Sequence, residues 1–205
     1  MQKNVSTPNQ SLTLIILFAF SLFWTCFSSI FLVTGITQDI LGMAIVGGLF
    51  VLIGLSLFLY ALLLFYTRRR VGKPDILVSN TTLKIGETFD YSLAHQFKNN
   101  IQVDKISVKL VFRETATYQQ GTDTRTVVHD HVIQHFEEPG RHFKAREFLQ
   151  LNYKMQIPYN AMHSLEVRRN KLEWLVIFEL DIPRLPNFTE HTKLTVLPEY
   201  VGGNQ

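Results

Sequence analysis

Hydrophobic and polar positions follow two different rules along this chain. From Leu12 to Thr34 and again from Ile40 to Thr67 the sequence runs without a charged side chain and is rich in Leu, Ile and Phe. An apolar helix needs about 20 residues to cross a hydrocarbon core of roughly 30 Å, so each run predicts a spanning helix. The second run, at about 1.5 Å per residue, reaches roughly 40 Å and is expected to tilt or extend into the headgroups. Gly35 to Asp39 is too short for anything but a tight antiparallel hairpin. Beyond Pro74 the period becomes two. Phe89, Tyr91 and Leu93 alternate with polar residues, as do Ile106, Val108, Leu110 and Phe112. The same holds from Leu149 to Ile157 and from Leu172 to Ile182, and Leu194–Leu197 closes the series. Such alternation predicts half-buried strands.

Turn residues separate these strands at Lys98-Asn99-Asn100, Gln120–Asp123, Glu138-Pro139-Gly140, Pro158-Tyr159-Asn160 and Pro183–Asn187. No stretch after residue 74 carries a helical period. Seven or eight strands in this space predict two antiparallel sheets packed face to face, with Trp174 in the core. The expected organisation is an N-terminal segment (1–11), a two-helix hairpin (12–67), a basic linker (68–75), a β-sandwich (76–198) and a C-terminal tail (199–205). No internal repeat is visible.

Several short motifs carry a resemblance. Leu83-Lys84-Ile85-Gly86-Glu87-Thr88-Phe89 is a Gly-Glu turn opening an alternating strand. Met155-Gln156-Ile157-Pro158, Leu172–Val176, Asp181-Ile182-Pro183 and Val196-Leu197-Pro198 follow in order. Together they resemble arrestin-like (immunoglobulin-like) β-sandwiches over residues 74–198. With two N-terminal spans, the whole resembles two-span bacterial inner-membrane proteins. One sandwich is expected here where full arrestins have two, so the resemblance implies a fold and not receptor recognition.

Charge sharpens the picture. The net charge of +3 is unevenly spread. Residues 1–73 hold Lys3, Arg68, Arg69, Arg70 and Lys73 against Asp39 alone, while the remainder is close to neutral. The excess flanks the apolar runs, which excludes a nucleic-acid binder and places both termini on the cytoplasmic side of the inner (plasma) membrane. The first run is longer than the apolar region of a signal peptide and ends in Ile30-Phe31-Leu32-Val33 rather than small residues. The single cysteine, Cys26, lies in that run, so neither a disulfide framework nor thiol catalysis is expected. Neither run holds an ionisable group that would mark a transport path. Ser21, Thr25 and Ser29 form one small face; Ala44, Gly47, Gly48 and Gly54 form another. These faces fit packing within the hairpin, or a homo-oligomer through the second helix.

The candidate chemistry centres on His129-Asp130-His131-Val132-Ile133-Gln134-His135. On a regular strand His129, His131 and His135 share one face. Two imidazoles two residues apart can chelate a metal, which would make a metal-dependent enzyme the alternative reading. The segment echoes the His-x-His, Glu, Gly order of cupins, but Glu137 comes six residues after His131, beyond the cupin interval. With Val128, Val132 and Phe136 on the opposite, more apolar face, the histidines are expected to face solvent, where they could also respond to pH. No nucleophile elbow or phosphate loop occurs, and no cofactor is expected. The favoured reading is a non-enzymatic adaptor or assembly module for a membrane-associated protein. Its expected contacts are exposed strand edges, which can accept an added strand, the polar hairpin tip at 113–125, with Tyr118 and Arg125, and headgroup binding by Arg68, Arg69 and Arg70.

Overall fold

The computed structural model describes residues 3–4 and 9–199. Two units emerge among the described residues, one over 9–69 and a second that joins 70–199 to Lys3 and Asn4. Most of the 1–11 segment and all but Glu199 of the tail at 199–205 lie outside the described residues.

The first unit follows from the charge-free runs. They form α1 (Asn9–Thr37) and α2 (Leu41–Val71), both long and apolar enough to cross a membrane. Helix α1 uses more of the connection than expected, leaving Gln38, Asp39 and Ile40 to turn the chain. The hydroxyls of Ser21, Thr25 and Ser29 donate to the carbonyls of Phe18, Ser21 and Thr25 at 2.7–3.0 Å, so each is satisfied within its own helix. The glycines of α2 permit close approach. A Cβ on Gly47 would lie 2.5 Å from the Leu32 nitrogen, and one on Gly54 would lie 2.3 Å from Thr25 Oγ1. Ile15, Phe23, Leu41 and Leu52 are among the many large apolar side chains that face outward.

Helix α2 continues through all three arginines to Val71. The linker expected at 68–75 is therefore helical in its first half. Gly72, at φ 87°, ends the helix where a left-handed residue is needed, and only Gly72-Lys73-Pro74 precede the next strand.

Two sheets and a short ladder build the second unit. One sheet has β1 (Lys3–Asn4), β2 (Asp75–Val78), β4 (Thr88–Gln96) and β9 (Phe148–Gln156) in the order β1-β2-β4-β9. The other has β3 (Thr82–Leu83), β12 (Phe188–Val196), β11 (Asn170–Asp181), β6 (Lys105–Gln120) and β7 (Asp123–Pro139) in the order β3-β12-β11-β6-β7, with β10 (Leu165–Glu166) also on β11. β5 (Ile101–Gln102) pairs β8 (His142–Phe143). All pairs are antiparallel except β3–β12. No helix follows Val71 among the described residues. The alternating residues identified above meet in the core. Phe89, Tyr91, Leu93, Leu151 and Met155 oppose Ile106, Val108, Leu110, Val176, Phe178 and Leu180, all buried. Trp174 is 1% exposed and donates its Nε1–H to Met162 O at 2.9 Å. This is a two-sheet arrestin-like sandwich.

One turn occurs twice, which the sequence alone does not disclose. In Lys84-Ile85-Gly86-Glu87 the Glu87 carboxylate accepts the Lys84 N–H at 2.7 Å, the Glu87 N–H returns to Lys84 O at 3.1 Å, and Gly86 has φ 77°. In Lys144-Ala145-Arg146-Glu147 the same two bonds measure 2.8 and 3.1 Å, and Arg146 has φ 67°. The turns launch β4 and β9, which run antiparallel, so they sit at opposite ends of the sandwich.

Candidate protein-binding hairpin

β6 and β7 form one long hairpin, paired from Lys105↔Pro139 to Gln120↔Asp123. At about 3.3 Å per residue its sixteen-residue arm spans roughly 50 Å. β11 flanks β6 from Lys105 to Ala116, and the Thr117 N–H bonds Arg169 O at 2.7 Å. The tip is thus shorter than the expected 113–125. Arg113 belongs to the sheet proper, where its Nε and Nη2 donate to the two Asp130 oxygens at 2.7 and 2.8 Å. That fork holds the Asp130 carboxyl below its usual range and raises the guanidinium above its own. Within the tip, Tyr118 and Arg125 stand directly opposite each other across the ladder, and the hydroxyls of Thr117 and Thr126 lie 3.1 Å apart.

A β-bulge overturns the expected histidine face. Leu110 pairs Gln134, but Val111 pairs Val132, so Ile133 is the extra residue. An inserted residue reverses the alternation beyond it. His129 and His131, opposite Glu114 and Phe112, lie on the inner face with Gln134 and Phe136; His135, opposite Lys109, lies on the outer face. Val128 and Val132 are outward, not Phe136, which stacks on Tyr153 at 4.5 Å. The expectation that His129, His131 and His135 share one face, with Phe136 behind them, is therefore wrong. The rings of His129 and His131 meet edge to face at 4.4 Å, and both residues stay exposed. His131 Nε2 is 3.5 Å from Glu114 Oε1, whereas His135 Nε2 is 2.9 Å from Glu137 Oε1, which also pairs with Lys105. Among the described residues no three His, Cys, Asp or Glu side chains are arranged to hold a metal ion. Beside His131 a groove of about 240 Å³ is lined by Phe112, Glu114, Ile133, Met162 and Trp174.

An exposed strand edge is expected from the sequence without being located; the outer edge of β7 is one such edge. β7 is the terminal strand of its sheet, and no other strand pairs its free side among the described residues. Val127, Val128 and Val132 are 50%, 53% and 55% exposed. Native edges are guarded by bulges, lysines or prolines. Here the bulge comes only at Ile133 and the proline only at Pro139, so Thr124 to Val132 is an edge uninterrupted by bulge, lysine or proline, its charges being Arg125 and Asp130. Of the arginines singled out from sequence, Arg68 and Arg69 lie in α2. Arg70 donates from Nη2 to Asn100 O at 2.8 Å, away from the hairpin.

No family model matches the chain, and no curated protein does. Among solved structures, Spo0M, a sporulation control protein from Bacillus subtilis, matches with a TM-score of 0.50 and 15% identity. The match covers 62% of this chain and 49% of that one, so it spans about half of that protein's length. It is a likeness of fold, the arrestin-like β-sandwich.

Proposed function

We propose that this protein is a two-span inner-membrane adaptor, with both termini cytoplasmic, whose β7 edge accepts a strand from a membrane-associated protein partner. The observation that carries the reading is the unpaired, valine-bearing edge from Thr124 to Val132, free of bulge and proline. An added strand would satisfy its backbone groups, and side chains of the hairpin would select the sequence. Tyr118 and Arg125, opposed at the tip, supply an aromatic and a cation of the kind that dominate interfaces. The outward Leu, Ile and Phe of α1 and α2 are suited to lipid, and Arg68, Arg69 and Arg70 supply the cytoplasmic flank. Three residues between α2 and β2 allow about 10 Å of tether, which favours a partner in the same membrane. The proposed role is non-catalytic; a metal-dependent alternative would rest on His129 and His131 alone, since His135 lies on the opposite face.

Co-purification from native membranes tests this. Tyr118→Ser with Arg125→Gln should abolish recovery of the partner, as should Val127→Lys with Val128→Lys. Thermal stability should stay unchanged in both. Retention of the partner by both double variants refutes the edge. Stoichiometric metal in the purified protein, with a turnover lost in His129→Ala plus His131→Ala, would replace the adaptor by an enzyme.

A further inference from the structure

We propose that the end of the sandwich nearest residue 70 is a docking surface for anionic phospholipid headgroups, made by Lys98, Lys144 and Arg146 beside Arg70 and Lys73, with Phe148 as its apolar element. This rests on the reading that α1 and α2 span a membrane. The three cations come from two loops far apart in sequence that hydrogen bonds hold together. Asn100 is the junction. Its carbonyl accepts from Arg70 Nη2 at 2.8 Å, and its side-chain oxygen accepts from the Ala145 N–H at 2.7 Å. The Arg146 N–H bonds Phe97 O at 2.7 Å, and Gln96 Nε2 bonds Arg146 O at 3.2 Å. Lys98, Lys144 and Arg146 are exposed, and no carboxylate lies within ion-pair distance of their side chains among the described residues. Glu147, the nearest acid in the turn, is occupied by Arg141 at 2.6 Å and by the Lys144 N–H.

The duplicated turn supplies an internal control. Lysine and glutamate are common to both turns; Ile85, Gly86 and Thr88 at the far end of the sandwich become Ala145, Arg146 and Phe148 at this end. Glycine suits the left-handed backbone of the third position, and arginine is disfavoured there. Phe148 is 65% exposed on β9, opposite Gln96, where Thr88 holds the matching place in the other turn. The same backbone thus carries Gly86 and Thr88 at one end, beside the Lys84 that matches Lys144. At the end that follows α2 it carries a cation at a strained position and an aromatic ring in the open. Cations beside an exposed aromatic suit the boundary between headgroups and acyl chains. Thr67 ends the apolar run three residues before Arg70, so that boundary is where the chain leaves the hydrocarbon.

A basic residue near an anionic leaflet contributes on the order of fivefold in binding. Hydrogen exchange can read this on the full chain in nanodiscs of phosphatidylcholine alone or of an equimolar mixture with phosphatidylglycerol. Amides at 96–100 and 144–148 should exchange at least about fivefold more slowly in the anionic discs. Lys98→Gln, Lys144→Gln and Arg146→Gly together should remove that difference while β11 keeps its protection. Arg146→Gly alone, which relieves the turn, should reduce it without loosening the fold. Equal exchange in both discs overturns the proposal. So does protection reproduced by inorganic phosphate in phosphatidylcholine discs, which would mark a free-anion site. Failure of the chain to insert into either disc strikes at the spanning reading beneath it.

Discussion

Deleting Ile133 should leave the β6–β7 ladder in register. Its removal makes Val132 and Gln134 neighbours, and they already face Val111 and Leu110, which are neighbours too. Every other residue keeps its partner and its face, and Gln134 Oε1 still accepts the Gln156 N–H. The loss is the burial of one side chain. Ile133 is 36% exposed, and complete burial of an isoleucine is worth about 1.5–3 kcal/mol, so the deletion should cost about 1–2 kcal/mol. That corresponds to roughly 5–30-fold faster opening in hydrogen exchange of β6 and β7 amides. Removing Asp130 instead is absorbed by the same bulge only if His131, Val132 and Ile133 each turn to the opposite face. It also destroys the fork to Arg113, so protection should fall much further. If the two deletions prove equally damaging, or if Phe136 leaves Tyr153 when Ile133 is removed, the bulge is misplaced and so are the histidine faces. A straightened β7 would also lengthen the unguarded edge, so the Ile133 deletion should self-associate more readily.

Acidification should weaken the sandwich before its carboxylates titrate. Burial pushes His95 down, against the opposing pull of the Val71 and Lys73 carbonyls and Asp75, with Lys98 adding to the depression. His191 is depressed by burial and by the Arg113 guanidinium, while Asp130 opposes. A depressed histidine binds its proton more weakly folded than unfolded. Its contribution is therefore complete above about pH 6.5 and is lost as pH falls from there toward the folded value. Melting curves should shift downward between about pH 7.5 and 5.5, and His95→Leu should flatten that slope; an unaltered slope in His95→Leu with His191→Gln rejects the assignment. In the helical hairpin, Gly54→Val cannot be housed against Thr25 without separating the helices, whereas Gly48→Ala has space, the nearest atom to its methyl being Leu32 Cδ1 at 3.8 Å. Energy transfer between labels at the two helix ends should fall in the first variant and hold in the second.

What could be read from the sequence follows the reach of each physical signal. Charge-free runs and alternating strands are local, and α1, α2, β4, β9 and β11 fall where those patterns lie. β6 was visible only to Phe112, because Arg113 to Gln120 carries polar residues on both faces and alternation disappears although pairing continues to Gln120. The two-residue strands β1, β3, β5, β8 and β10 have no periodicity to detect and exist through their neighbours. Arg68–Arg70 ended the apolar pattern but not the helix, since arginine is a good helix former and Gly72 is the true stop. The bulge at Ile133 has no composition of its own, and one unsignalled residue was enough to send His135 to the other face.

Both proposed binding surfaces draw on places where residue choice and structure disagree. Tyr118 and Arg125 could be singled out as residues of a polar tip, and the Gln120↔Asp123 closure sets them opposite each other. That β7 is an edge could not be foreseen, because an edge is a property of strand order and β7 could equally have been covered by another strand. Once the order is known, the valines facing water on an unguarded edge and the arginine at a glycine-type turn stand out for the same reason. Neither improves the packing of the sandwich, and a sequence selected for stability alone would place threonine or lysine at the first and glycine at the second. Such local inconsistencies are expected where a protein meets something else. The valines lie on β7 from mid-ladder toward the tip, and the ladder's other end, Lys105↔Pro139, leads through the Val103–Arg141 bond toward the loops that carry the cations. A partner bound at the tip and a headgroup bound at the base would share a rigid sheet rather than a loop, so each should report on the orientation of the other.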